Sequence, residues 1–236
     1  MKDKVTSFYK DAAGAVDAGL RKYMLNVFSY MSAGLALTAV VAYCASCSPT
    51  LMGFLYGAPL VSILMAFAPL AIAIYLTAKL GSISAERAKT LFLVYAASLG
   101  LSMSWIFAVY SGSSIVGTFF ITSSMFLSMV VYGYVTDKDL TNWGAYLTMA
   151  LIGLIIASVV NMFTRSSGFE LLISAIGVVV FTGLTAYDAQ VIKSYYFDSD
   201  SVEISEKKAI FGALRLYLDF VNLFFYILRF MGSRRD

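Results

Sequence analysis

RLYLDFVNLFFYILRF, residues 215–230, is an aromatic and aliphatic run long enough to cross most of a membrane, yet Asp219 stands inside it. Arg215 lies one helical turn before the acid and Asn222 three residues after it. An Asp at the centre of a spanning helix costs roughly 2.5–3.5 kcal/mol on insertion scales, and such residues usually face the bundle interior with a partner. Whether this run is a span, and what its acid meets, decides fold and function together.

The composition answers the first half. The chain of 236 residues is 60% hydrophobic and 13% charged, with a mean hydropathy of +0.80. Soluble domains are about 45–50% apolar and about 25% charged, so lipid is the solvent that fits. The charges are also segregated. No Asp, Glu, Lys or Arg occurs between Tyr23 and Ala78, between Thr90 and Thr136, or between Leu140 and Thr164. At about 20 residues per crossing, these intervals hold two, two and one spans. Seven spans are predicted in all, at 25–46, 59–80, 90–110, 115–135, 144–164, 171–192 and 210–231. The expected organisation is a short N-terminal tail, 1–24, and one all-α transmembrane domain, 25–236.

Turn-forming pieces separate the spans: SCSPT with Pro49, SGSS at 111–114, TDKD at 136–139 and TRSSG at 164–168. The longest polar connection, KSYYFDSDSVEISEKK (193–208), joins the last two. Pro69 falls within the second span, where it is tolerable if a neighbouring helix satisfies the carbonyl it frees. Ala96 and Gly100, four residues apart, are the spacing that close helix packing in lipid uses.

Lys2, Lys4, Lys10, Arg21 and Lys22 precede the first span, and Lys79, Arg87, Lys89, Lys138, Lys193, Lys207 and Lys208 fall on the same side, against Arg165 on the other. The positive-inside rule then predicts a cytoplasmic N-terminus. Seven crossings export Arg229, Arg234 and Arg235, against that rule. No cleavable signal peptide is visible, so the first span is expected to act as an uncleaved insertion signal.

Several function classes drop out. With no histidine in the chain, a Ser-His hydrolase, a His-ligated metal or haem site and a His-based pH switch lack their central residue. The net charge of +3, spread over several loops, offers nucleic acid nothing to grip. No P-loop spacing occurs. Residues 209–236 contain no Lys for a retinal linkage. Cys44 and Cys47 form a C-x-x-C without a second pair, read as incidental thiols.

Two acids sit within predicted spans, Asp188 in GLTAYDAQVIK and Asp219. Asp188 lies about 7–8 Å inward from Lys193, and Asp219 about 6 Å inward from Arg215 if that residue snorkels to the same interface. Consecutive helices run antiparallel, so the two acids fall at similar depth. Two carboxyls in contact in a low-dielectric setting cannot both ionise cheaply and are expected to hold a shared proton. Deprotonated, they make an oxygen-lined site suited to Ca²⁺, with Tyr187, Gln190 and Asn222 near in sequence to add hydrogen bonds or ligands. A plainer reading stands beside this: Asp219 pairs with Arg215 at i,i+4, and Asp188 meets Lys193 near the surface.

GLTAYDAQVIK (183–193) and LYLDFVNLFFYILRF (216–230), one span apart and in this order, resemble the Bax inhibitor-1, or transmembrane Bax inhibitor motif, family, in its bacterial form. The resemblance implies seven helices with the last one central. It also implies a pH-dependent Ca²⁺ leak, with Asp188 and Asp219 as the sensing pair and no enzymatic activity. A central seventh helix would explain insertion against the charge rule. Family members latch the pair with a basic residue near the end of the second helix, but neither Lys79 nor Arg87 takes that position here. Bacterial relatives imply a bacterial inner membrane and a membrane-bound AAA protease as partner, which suggests a non-conducting regulator as an alternative. An intramembrane aspartyl protease also pairs Asp residues on its sixth and seventh spans. However, LYLD replaces its Gly-x-Gly-Asp, and its Pro-Ala-Leu element is missing.

Overall fold

Apolar stretches deprived of water must satisfy their backbone internally, so they become helices, and the computed structural model is built from helices alone among its described residues. The structure describes the backbone of residues 2–233 and the side chains of 18–233. The side chains of Lys2, Lys4, Lys10, Arg234 and Arg235, which the charge count uses, lie outside that set. The elements are α1 (Lys2–Ser46), α2 (Pro49–Gly57), α3 (Pro59–Lys79), α4 (Ala85–Met103), α5 (Ile106–Val109), α6 (Gly112–Val135), α7 (Thr141–Thr164), α8 (Ser167–Ser194) and α9 (Val202–Met231). Seven segments are long and apolar enough to span a membrane: Ala18–Ser46, Pro59–Lys79, Ala85–Val109, Gly112–Val135, Thr141–Thr164, Ser167–Ser194 and Val202–Met231. The protein is an all-α integral membrane protein.

Boundaries differ from expectation in instructive ways. α1 starts well before residue 25. The SCSPT turn leads into a short helix, α2, because Ser48 caps it through Leu51 N–H and Pro49 is pre-shaped for a first turn. The third span is broken at Ser104–Trp105 between α4 and α5. Tyr56 of α2 answers the break, its hydroxyl lying 3.1 Å from the carbonyls of Leu101 and Ser102 and from Ser104 Oγ. The connection before α9 shrinks to seven residues, 195–201, since Ser201 caps α9 by accepting from Ile204 N–H.

Pro69 lies inside an unbroken α3. Its ring removes the donor that the Met65 carbonyl would otherwise use, and Ser102 of α4 donates to that carbonyl from the side. The Ala96/Gly100 pattern is likewise cashed in packing. A Cβ on Gly100 would meet the Thr38 carbonyl at 2.6 Å, so α1 and α4 touch backbone to backbone. Thr38 Oγ1 then donates to the Ala96 carbonyl (2.8 Å) and accepts from the Tyr217 hydroxyl (2.6 Å), tying α1, α4 and α9 at one buried point.

α9 packs against α1, α4, α6 and α8. Of its apolar window 67% is buried, against 6–44% for the other spans. Its first turns are anchored on the N-terminal side. Tyr30 donates to Glu206 (2.6 Å), Lys207 to the Ile83 carbonyl (3.1 Å), and Lys208 pairs with Asp200 at 2.6 Å. Its far end joins the start of α6, where Ser233 N–H donates to Ser114 Oγ (2.8 Å) and Ser111 N–H to the Ser233 carbonyl (3.2 Å). The last helix therefore traverses the bundle from one face to the other, with the basic Arg229 at the opposite end from Arg21.

Candidate functional site: two acids and one guanidinium

α8 and α9 form an antiparallel hairpin held close by glycines. A Cβ on Gly212 would meet Ile192 at 2.9 Å, and one on Gly177 would meet the Tyr226 ring at 2.5 Å. Between these two seats lie Asp188 and Asp219, 6% and 5% exposed. Arg215 and Asp219 are four residues apart, so both point from one face of α9, and that face is turned toward Asp188.

The guanidinium bridges the helices. Arg215 Nε donates to Asp188 Oδ2 (3.0 Å), its Nη2 donates to Asp188 Oδ1, and its Nη1 reaches the Tyr195 hydroxyl at 3.1 Å. This is a two-pronged arginine–carboxylate pair, the strongest form such a contact takes. The Asp219 carboxyl lies near enough to Asp188 and Arg215 for the three charges to act on one another. Its Oδ2 is buried without any hydrogen-bond partner. Thus the one cation is taken by Asp188, and an oxygen of the second acid is left without a partner.

This arrangement departs from the sequence expectations at several residues. Arg215 does not snorkel outward, and it takes Asp188 of the neighbouring helix rather than Asp219 of its own. Lys193 passes by Asp188 altogether; its Nζ donates to the Tyr134 carbonyl (2.9 Å) and lies over the Tyr134 ring. Gln190 is no ligand of the pair: its amide donates to the Lys138 carbonyl (2.8 Å) and accepts from Leu140 N–H (2.9 Å), binding the α6–α7 connection. Asn222 donates to the Leu218 carbonyl of its own helix. Tyr187 lays its ring where a Cβ on Gly144 would stand, packing α7 on α8. All three are structural neighbours of the site.

One partner, Tyr195, and the exact pairing of Arg215 escaped the sequence. The cation that pairs with the buried acids is Arg215, on Asp188, whereas Lys79 and Arg87 are exposed and make no ion pair among the described residues. The signal was present in the i,i+4 spacing of Arg215 and Asp219 beside an antiparallel helix. Tyr195, which steadies the guanidinium, sits in the connection and carried no motif. A resident Ca²⁺ does not fit here. That ion takes six to eight oxygens, whereas Asp188 is already engaged by Arg215 and no cluster of three or more Asp, Glu, His or Cys exists among the described residues. Cys44 and Cys47 are free and exposed.

A seven-helix membrane protein with a carboxyl pair clasped between its last two helices is the class that fold and site define. Comparison with known proteins narrows it. The family profile described as "Inhibitor of apoptosis-promoting Bax1" matches residues 20–236, and the chain belongs to this Bax inhibitor-1 family. It is 44% identical over 220 residues to the inner membrane protein YbhL of Escherichia coli K12, covering 92% of this chain and 94% of that one. An uncharacterized protein of Rickettsia prowazekii is 46% identical over 220 residues, 93% of both chains. Another from Borreliella burgdorferi is 47% identical over 216 residues, 91% of this chain and 93% of that one.

Proposed function

We propose that this protein is a pH-sensitive, calcium-permeable leak channel of a bacterial inner membrane, with its N-terminus in the cytoplasm, gated by the proton that Asp188 and Asp219 share. The observation that carries the reading is the charge count of the site: two buried carboxyls, one guanidinium and one orphaned Asp219 oxygen. With a proton on Asp219, its O–H donates to Asp188, the orphan is satisfied and the cluster is neutral. Without that proton a second negative charge is buried beside the first with half the compensation it needs, which is costly away from water. Relief comes from opening the α8–α9 contact to water or to a cation. Ca²⁺ enters this account as the permeating ion, drawn by the uncompensated carboxylate, and not as a bound cofactor. The family resemblance supports calcium and pH as the relevant pair.

The site is read as non-catalytic. An aspartyl protease needs both carboxyls free to hold one water, and here Arg215 occupies Asp188 from two sides. Regulation of a membrane-bound AAA protease without conduction is the competing role, and flux separates the two. Purified protein in liposomes loaded with a calcium-sensitive dye is expected to pass Ca²⁺ at a rate that changes between about pH 6 and 8. Vesicles that leak no faster than protein-free controls at every pH would end the channel reading.

A further inference from the structure

α1 and α6 both lie on α9 but hardly touch each other, and a cleft of about 1100 Å³ opens between them. Its walls are apolar side chains such as Met24, Phe28, Phe126 and Val130, and Phe220 of α9 lies at its floor. A second cavity of about 470 Å³ shares Leu35, Ala39, Phe119 and Phe220 with it and continues toward the far end of the bundle. From Leu20 to Ala39 the cleft follows about 28 Å of helix axis, close to the roughly 30 Å of a bilayer's hydrocarbon core.

Its polarity is confined to one end. Arg21 and Lys193 line the mouth on the N-terminal side, and neither Asp nor Glu lines either cavity. Lys193 spends one donor on the Tyr134 carbonyl, leaving two N–H groups of its three to serve a ligand. A long apolar trough ending in two cations at headgroup level has the chemistry of a site for one anionic phospholipid. Basic pockets between spanning helices recognise such headgroups, while burial of the acyl chain along the trough adds affinity.

We infer that the α1–α6 cleft holds an anionic phospholipid, its acyl chain along Phe126 and Phe220 and its phosphate between Arg21 and Lys193. The full chain, stripped of lipid in detergent, is titrated with phosphatidylglycerol or phosphatidylcholine of identical chains, and bound lipid is counted by native mass spectrometry. The wild type is expected to retain the anionic lipid about tenfold better. The Arg21→Gln/Lys193→Gln double variant loses that preference, whereas Lys193→Arg keeps it. Ser123→Trp, which fills the trough, lowers retention of both lipids. Equal retention of the two lipids by the wild type, a preference that survives in the double variant, or a dimer that excludes lipid from the cleft would each overturn the inference.

Discussion

Arg215 closes on Asp188 of the neighbouring helix, not on Asp219 one turn along its own. The choice makes the guanidinium a strap across the α8–α9 hairpin and leaves Asp219 without an ion-pair partner. A within-helix pair would have left the two helices without this strap and Asp188 as the unpaired acid.

The strap predicts a stability cycle. Removing one member of a fully buried pair costs roughly 3–5 kcal/mol. The Arg215 side chain keeps 28% of its exposure, so Arg215→Met is expected to cost about 2 kcal/mol. Asp188→Asn in the Arg215→Met background should recover part of that loss, because no charge is then stranded. Thermal melts in detergent measure the cycle; strictly additive losses would dissolve the pair as an energetic unit.

Asp219→Asn places an amide donor where the shared proton is proposed to stand. The variant is expected to fold with a melting temperature near that of the wild type and to show a calcium flux that no longer varies with pH. Asp188→Asn should flatten the same response and also release Arg215. A full wild-type pH profile in both variants would separate the pair from gating.

Ser102 supports the carbonyl that Pro69 frees. Ser102→Ala strands a half-buried acceptor and is expected to cost about 1 kcal/mol. Restoring the missing donor with Pro69→Ala should cancel most of that loss in the double variant, which chemical denaturation can follow.

Two glycines of α6 are expected to behave oppositely. A Cβ on Gly133 would stand 2.1 Å from the Ala186 carbonyl of α8, whereas one on Gly117 meets nothing within 4 Å. Gly133→Ala must push α6 off α8 and should cost about 1–3 kcal/mol; Gly117→Ala should cost nothing. Similar melts for the two would contradict the close α6–α8 contact.

Because the end of α9 bonds to Ser111 and Ser114, reporters fused at the two termini should fall on opposite sides of the membrane. Same-side activity would mean that α9 does not cross.

The charge-free intervals, the apolar stretch at 171–192 and the interrupted final run were enough, without any coordinates, to predict seven spans with two acids inside them. Burial of apolar chain in lipid is a one-dimensional property, written in which residues sit next to which. The same logic located Pro69 and the Ala96/Gly100 step. It could not choose a partner for Arg215. That choice depends on how far α9 is rotated about its axis and how closely Gly177 and Gly212 let α8 approach, a matter of a few ångströms between elements. Nearness in sequence put Gln190, Asn222 and Tyr187 beside the acids, but helix rotation turns Gln190 and Tyr187 toward α7 and its connection, and Asn222 bonds back to its own helix. The cleft between α1 and α6 belongs wholly to the tertiary structure, since it exists only because α9 separates two helices that no sequence pattern says must stand apart.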